Sequence, residues 1–358
     1  GWARGLSDER VANPHVQKVT ENILARAGLF PEAPMPRPIV TSYESSIAAR
    51  SRVVAGSGRP GHEDGKASNA RFHAPSGIAV GPEGELYVCD TGNNQVRKIS
   101  TDGQVSTVLG AGEIKLQTPT GIAVDASGNV YVSDTGTSRI IFMNKDGASV
   151  VYSGRAHVQD NTDDPDRGKA RFNLQRGLTI DAAGMLYIAD FRNDAIRKTD
   201  PSTGAVTTVV TSAGGPTAVA VGPDGTIYYV ASWQGAIISV SPSGDRSVLA
   251  NEKKIFGDRG GPGAEAALRP ADGLIFTPDG LVFTDTGNNR VRALLLDAHK
   301  NVVTLLGTGR GGDHVGDGNT ELCLPRSVAA VSDGYVVADT MNHRILHFSN
   351  DPGAVFRR

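Results

Sequence analysis

The phrase YVCDTGNNQVRKI (Tyr87 to Ile99) recurs almost letter for letter as VFTDTGNNRVRAL (Val282 to Leu294). A catalytic motif serves one reaction and normally occurs once in a domain, so a phrase spelled twice is read as architecture. Weaker copies fill the interval and follow it. Counted from the Asp, the related segments begin at Asp90, Asp134, Asp190, Ala231, Asp285 and Asp339, in steps of 44, 56, 41, 54 and 54 residues. Self-similarity at such a period marks a repeat architecture and overrides the two-domain expectation that length alone would give.

Upstream of each copy lies a partner phrase: PSGIAVGPEGELYV, PTGIAVDASGNVYV, QRGLTIDAAGMLYI, PTAVAVGPDGTIYY, ADGLIFTPDGLVF and PRSVAAVSDGYVV. Each is an apolar run, a turn and a second apolar run, which is a hairpin signature. A third strand follows the Asp phrase, and a fourth, such as VSTVLGAG or VVTLLGTG, completes the unit. Four short antiparallel strands per unit describe a propeller blade, so the fold class is all-β, a six-bladed β-propeller. The sixth unit stops at RILHFSN without a fourth strand, while an orphan fourth-strand phrase, SRVVAGSG (Ser51 to Gly58), precedes the first complete unit. The N-terminal strand is therefore expected to close the last blade and remove the open sheet edge.

The pattern ARFHAPSGIAVGPEGELYVCDTGNNQVRKI resembles the NHL repeat, over residues 51 to 350. Blade four departs from it, with ASWQGAII in place of the Asp phrase. The expected organisation is an N-terminal strap over residues 1 to 50 and an NHL-type propeller over 51 to 358. In the strap, Asn13 caps a helix with Pro14 at its first position, Val16, Val19, Ile23 and Leu24 share a face, and Gly28 ends it. PEAPMPRP must then run extended.

The 358 residues hold 36 basic and 38 acidic side chains, a net charge of −2, which gives no electrostatic footprint for nucleic acid. No apolar run reaches the eighteen or so residues of a membrane helix. Cys89 and Cys323 are the two cysteines, too few for a disulfide framework, and no CxxC metal signature occurs. GWARGLSDER lacks a basic n-region followed by an apolar run. The expected location is secreted or periplasmic if a signal peptide has been removed, and cytoplasmic otherwise.

If the repeats are scaffold, chemistry belongs where the copies differ. The long links GSGRPGHEDGKASNARFHAP, GRAHVQDNTDDPDRGKARFNLQ and GTGRGGDHVGDGNTELCLP crowd one rim together with the Asp turns, and binding groups concentrate on such loops. The five recurring aspartates are read as turn formers bonding nearby backbone N–H groups. Phe72, Phe172, Leu268 and Cys323 are read as one apolar position, which makes Cys323 a core thiol.

The residue before the Gly of each PxG should face the mouth of the central channel, giving a ring of Ser76, Thr120, Arg176, Thr217, Asp272 and Arg326. Arg176 and Arg326 are expected to bind an anionic group such as a carboxylate or phosphate, with Asp272 accepting from a donor. The plainer alternative is that Asp272 pairs with an arginine and the ring plugs the channel. In blade four Trp233 replaces the turn glycine, with Tyr228 and Tyr229 on the preceding strand, and in blade three Phe191 and Arg192 replace TG. An aromatic on the rim stacks a ligand or peptide, or packs beneath the strap.

Among propellers similar to this fold, the amidating lyase uses channel-facing zinc histidines and gluconolactonase-like hydrolases use a Glu/Asn/Asp metal cluster; the ring has neither set. The eight histidines, 15, 62, 73, 157, 299, 314, 343 and 347, show no helical i,i+4 pair, and His343 reads as a turn residue. No cofactor is expected, and a metal ion has no ligand motif to support it. The expected function is a binding module for a small anionic molecule, a peptide or a protein. The competing class is a propeller enzyme, a lyase, hydrolase or isomerase with its site in the channel mouth; RNA binding is a third option.

Overall fold

The second strand of five of the six repeats is buried along its whole length, as in Leu86–Asp90, Val130–Asp134, Leu186–Asp190 and Ile227–Ala231. A strand reads as a continuous apolar run when both faces of its sheet are covered, and here each sheet lies between two others. The outer strand Gln104–Leu109 instead alternates between exposed and buried positions. These relations come from a computed structural model that describes residues 50–316 and 318–349. The helix after Asn13 and the Pro-rich strap lie outside the described residues.

Six antiparallel sheets follow one another round a central channel. The first comprises Pro75–Val80, Leu86–Asp90, Gln95–Ile99 and Gln104–Leu109, with Gly65–Lys66 added at its outer edge. The innermost strands of the other five are Pro119–Val124, Leu178–Ile180, Pro216–Val221, Gly273–Thr277 and Ser327–Val331. The last sheet takes its outer strand, Arg50–Ala55, from the start of the propeller, in register Arg50↔Ser349 and Ser51↔Phe348. The expected closure is what the chain does.

The core is a series of inter-blade layers. Tyr87, Cys89 and Val96 of blade one pack with Ile122, Val130, Val132 and Ile141 of blade two, and Val336, Ala338 and Ile345 of blade six pack with Ile78, Leu86 and Val88 of blade one. Near the axis the blades approach so closely that a Cβ on Gly121 would lie 2.0 Å from the Arg176 carbonyl oxygen. This explains the glycine of PxG: it is where neighbouring inner strands touch.

The recurring Asp is structural, but the backbone N–H it accepts lies outside the local turn. Asp90, Asp190, Asp285 and Asp339, all buried, accept from the backbone N–H groups of His73, Asn173, Arg269 and Cys323 in the incoming link, at 2.7, 2.9, 3.0 and 2.8 Å. Each also accepts from the Asn three residues on, at 2.8 Å. Buried arginines complete the arrangement, with Arg97 2.9 Å from Asp90 and Arg197 3.0 Å from Asp190. Each of these arginines reaches a second carboxylate on the link, Asp64 or Asp163. The aspartate thus clamps the long link to its own blade.

Cys323 corrects one expectation. The buried partner of Phe72, Phe172 and Leu268 is Leu322, because Gly311 bridges Leu322 just as Phe256 bridges Leu268. Cys323 is one residue further along, half-buried on the rim, whereas Cys89 is the core thiol.

After each Asp turn the chain passes through a left-handed residue, φ 56° at Asn94, 52° at Asn289 and 54° at His343, a conformation asparagine tolerates well. Asn94 and Asn289 use their side-chain oxygens to accept the N–H of Thr118 and Leu324 in the next blade's link, at 2.7 and 2.8 Å. At the seam between blades six and one His343 takes this role, Nδ1 accepting from Ala74 N–H at 3.0 Å. Burial holds the His343 imidazole below its ordinary value, the ring of His73 at 5.7 Å adds to this, and Asp90 opposes it. A neutral Nδ1 accepts and a protonated one donates, so the bond exists only in the neutral state. With the folded value below the unfolded one, its contribution is present above pH ~6.5 and is lost as pH falls through the lowered folded value. In thermal melts between pH 7.5 and 5 the wild type should lose about 1 kcal/mol relative to His343→Asn. Equal slopes in the two proteins would refute the latch.

Candidate functional site

The mouth of the channel is built from the starts of the six inner strands. Ser76, Thr120, Arg176, Thr217, Asp272 and Arg326 all line one cavity of about 490 Å³ that runs along the propeller axis. The ring is not uniform. Ser76 Oγ lies 2.5 Å from Thr91 Oγ1, Thr120 Oγ1 lies 2.6 Å from Thr135 Oγ1, and Thr217 Oγ1 donates to the Ala271 carbonyl at 2.7 Å. Ser76 and Thr217 are buried, and these hydroxyls hold blades together. The groups offered to the channel are the three charged ones.

Asp272 stands between the two arginines, with Arg176 Nη1 at 3.4 Å and Arg326 Nε at 3.6 Å. Both separations exceed the ~2.7–2.9 Å of a close charge-assisted bond. One carboxylate faces two guanidiniums, so the trio carries a surplus positive charge. The Arg176 and Arg326 side chains are 38% and 44% exposed and that of Asp272 is 22% exposed, so all three remain open to a ligand. Burial draws the Arg176 guanidinium below the ordinary arginine value; Asp272 opposes this, and Arg326 and Arg192 reinforce it.

Blade three positions Arg176 through a change in its turn. In blades one, two and five the residue after the Asp is threonine, and Thr91, Thr135 and Thr286 each donate at 2.7 Å to the next blade's Pro119, Gln175 or Pro325 carbonyl. Blade three has Phe191 instead, and its ring lies 4.1 Å beneath the Arg176 guanidinium carbon. The aromatic face supports the flat cation. Phe191 in turn meets the edge of Trp233 at 6.0 Å. A continuous line of side chains therefore runs from Asp272 through Arg176 and Phe191 to Trp233 on the rim.

The following turn position decides what the rim presents. Where it is glycine, in Gly92, Gly136 and Gly287, an added Cβ would come within 2.6 to 2.7 Å of atoms of the facing link residues His73, Thr118 and Arg269. In blades three, four and six the same position carries Arg192, Trp233 and Met341, each donating its backbone N–H to the facing link, at Asn173, Gly214 and Cys323, at 3.0 Å. Arg192, Trp233 and Met341 are exposed, Trp233 to 53%. Phe256, also exposed, rests on Gly235 and extends the apolar part of this rim.

The two tyrosines on the strand before Trp233 do not join the surface. Tyr229 is fully buried, and Tyr228 stacks on Phe276 at 5.6 Å near the other end of the channel. Met341, Phe256 and the support given by Phe191 were not anticipated; substitution of the turn glycine was the signal for the first. Among the described residues no group of three or more His, Cys, Asp or Glu side chains is placed to hold a metal ion, and no helix is long and apolar enough to cross a membrane.

Six blades round one channel with a charged mouth define a six-bladed β-propeller, a fold consistent with a binding module. The NHL repeat matches residues 72–99 and 116–141, which lie in the first two blades. Over 314 residues it is 27% identical to Protein Suppressor of Quenching 1, chloroplastic, of Arabidopsis thaliana, spanning 84% of this chain and 27% of that protein's length. Its fold is similar to an auxiliary nutrient binding protein from Bacteroides thetaiotaomicron, with TM-score 0.68 and 15% identity over 84% of this chain and 76% of the other. It is also similar to a catalytically inactive virginiamycin B lyase from Staphylococcus aureus solved with quinupristin, with TM-score 0.51 and 15% identity over 77% and 80% of the two chains.

Proposed function

We propose that the propeller binds a small anionic molecule at the channel mouth, through Arg176 and Arg326. One observation carries this reading: two guanidiniums share a single carboxylate at loose separations above an open cavity. Among the described residues neither arginine has a closer anionic partner, so a carboxylate or phosphate would improve the pairing. Asp272 keeps the two cations apart and accepts from any donor the ligand carries. Arg192 and Trp233 form the outer lip, where a larger ligand or a peptide would extend. The resemblance in fold to a nutrient binding protein agrees with this reading and supplies no ligand.

The test is calorimetric titration with a panel of mono- and dicarboxylates and inorganic phosphate. A hydrogen bond to a charged group is worth about 1.5–3 kcal/mol, so Arg326→Ala should weaken the best anion roughly 10- to 150-fold. Trp233→Ala should change the affinity of a small anion little. If Arg176→Ala and Arg326→Ala both kept the wild-type affinity, the mouth would not be the site. Turnover of a bound anion, lost in both variants, would move the protein to the enzyme class.

A further inference from the structure

The cavity beneath the charged trio is chemically unlike its mouth. Each inner strand runs downward from its ring residue, so chain order is also depth. Below Ser76 come Ile78 and Val80, below Thr120 come Ile122 and Val124, and below Thr217 come Val219 and Val221. Blade three adds Leu178 and Ile180, and blade five adds Leu274 and Phe276. Charged groups on this lining are confined to Arg176, Asp272 and Arg326 at the mouth. Of the two hydroxyl residues below it, Ser327 is already engaged, accepting the Ile78 N–H at 3.2 Å. Val80, Val124, Ile180, Val221 and Phe276 line this cavity and are only half-buried.

A polar solute held at the mouth would leave this apolar shaft hydrated, and covering such surface is favourable in proportion to its area. Inner strands of six residues give the shaft a length of about 20 Å. From this division we infer that the ligand is an amphipathic anion, with one carboxylate head held by Arg176 and Arg326 and an unbranched or aromatic apolar body lying in the shaft. The inference rests on the anion site proposed above and adds the nature of the rest of the molecule. The division also fixes orientation, because a body without charge has no partner at the mouth and a carboxylate has none below it.

The experiment compares acetate, hexanoate, decanoate and decanol by calorimetry, on the wild type, Arg326→Ala and two shaft variants, Val80→Asn and Val221→Asn. Each added methylene should tighten carboxylate binding about three- to fourfold. Decanol should bind at least tenfold more weakly than decanoate, and Arg326→Ala should remove that difference. Each shaft variant should weaken decanoate at least tenfold while leaving acetate unchanged, and the retained acetate binding shows that the variant is folded. If acetate and decanoate bound equally well and both responded to Arg326→Ala, the head site would stand and the amphipathic ligand would be wrong. If decanol matched decanoate and Arg326→Ala had no effect, the anion site itself would fall, and this inference with it.

Discussion

Replacing Asp190 with alanine is expected to destabilise the propeller by about 3–5 kcal/mol, the cost of removing one partner from a buried charge pair. Three donors converge on this fully buried carboxylate: the Asn173 backbone N–H at 2.9 Å, Asn193 Nδ2 at 2.8 Å and Arg197 Nη1 at 3.0 Å. Burial pushes the Asp190 carboxyl up to about 6, against the pull of those bonds. Its loss would leave Arg197 buried with one remaining carboxylate, Asp163, which is itself partly in solvent. The long link between blades two and three would lose its attachment at Asn173. Chemical denaturation should show the full loss for Asp190→Ala, and a smaller one for Asp190→Asn, which keeps an acceptor. The exposed Asp146→Ala is the control and should stay within about 0.5 kcal/mol of wild type. An Asp190→Ala protein as stable as that control would mean that the clamp does not hold the link.

The second large effect is expected at Gly121, where a methyl group has no space. An added Cβ would sit 2.0 Å from the Arg176 carbonyl oxygen and 2.9 Å from its carbon. The obstacle is backbone, so no side chain can turn aside and the inner strands of blades two and three must part. Overpacking of this kind costs about 1–3 kcal/mol, and more when backbone is the obstacle, so Gly121→Ala should lie at or beyond the upper end. Because the displaced atoms belong to Arg176, anion binding at the mouth should weaken together with stability. Gly112, with nothing within 4 Å of its added Cβ, should accept alanine at little cost. Anion affinity unchanged in a destabilised Gly121→Ala protein would separate the seam from the site.

The scaffold was legible because its rules repeat. Six copies of a hairpin, five of them followed by an Asp turn, leave little freedom in the blade count, and a missing fourth strand at one end with a spare at the other dictates the closure. The ring positions were legible for the same reason, since PxG marks each approach to the axis. Side-chain partners 16 or 17 residues apart were not. Local turn chemistry explains why an Asp is there, but the N–H groups it accepts belong to a link that only folding brings near. The arginine of VRK, IRK and VRA was visible as a repeated letter, yet nothing local shows that it is buried between two carboxylates. At ELCLP two apolar residues stand side by side, and the bridge from Gly311 selects Leu322. Tyr228 and Tyr229 stand on the strand before Trp233 as read, and that strand, covered on both faces, hides its aromatics as readily as it hides valines. The depth profile of the channel was written in the inner strands, but its meaning depends on all six converging on one axis.

The closing strand has a mechanical consequence. Arg50 pairs with Ser349, and both stand at the end of blade six that carries the short Val331–Gly334 turn, opposite the Asp turns and the charged mouth. Arg50 and Ser349, the first and last described residues, therefore lie side by side at one point of the ring's circumference. A pull on either flanking segment is borne first by the pairing between the outermost strand and its neighbour. The charged mouth stands at the other end of the blades from this pairing.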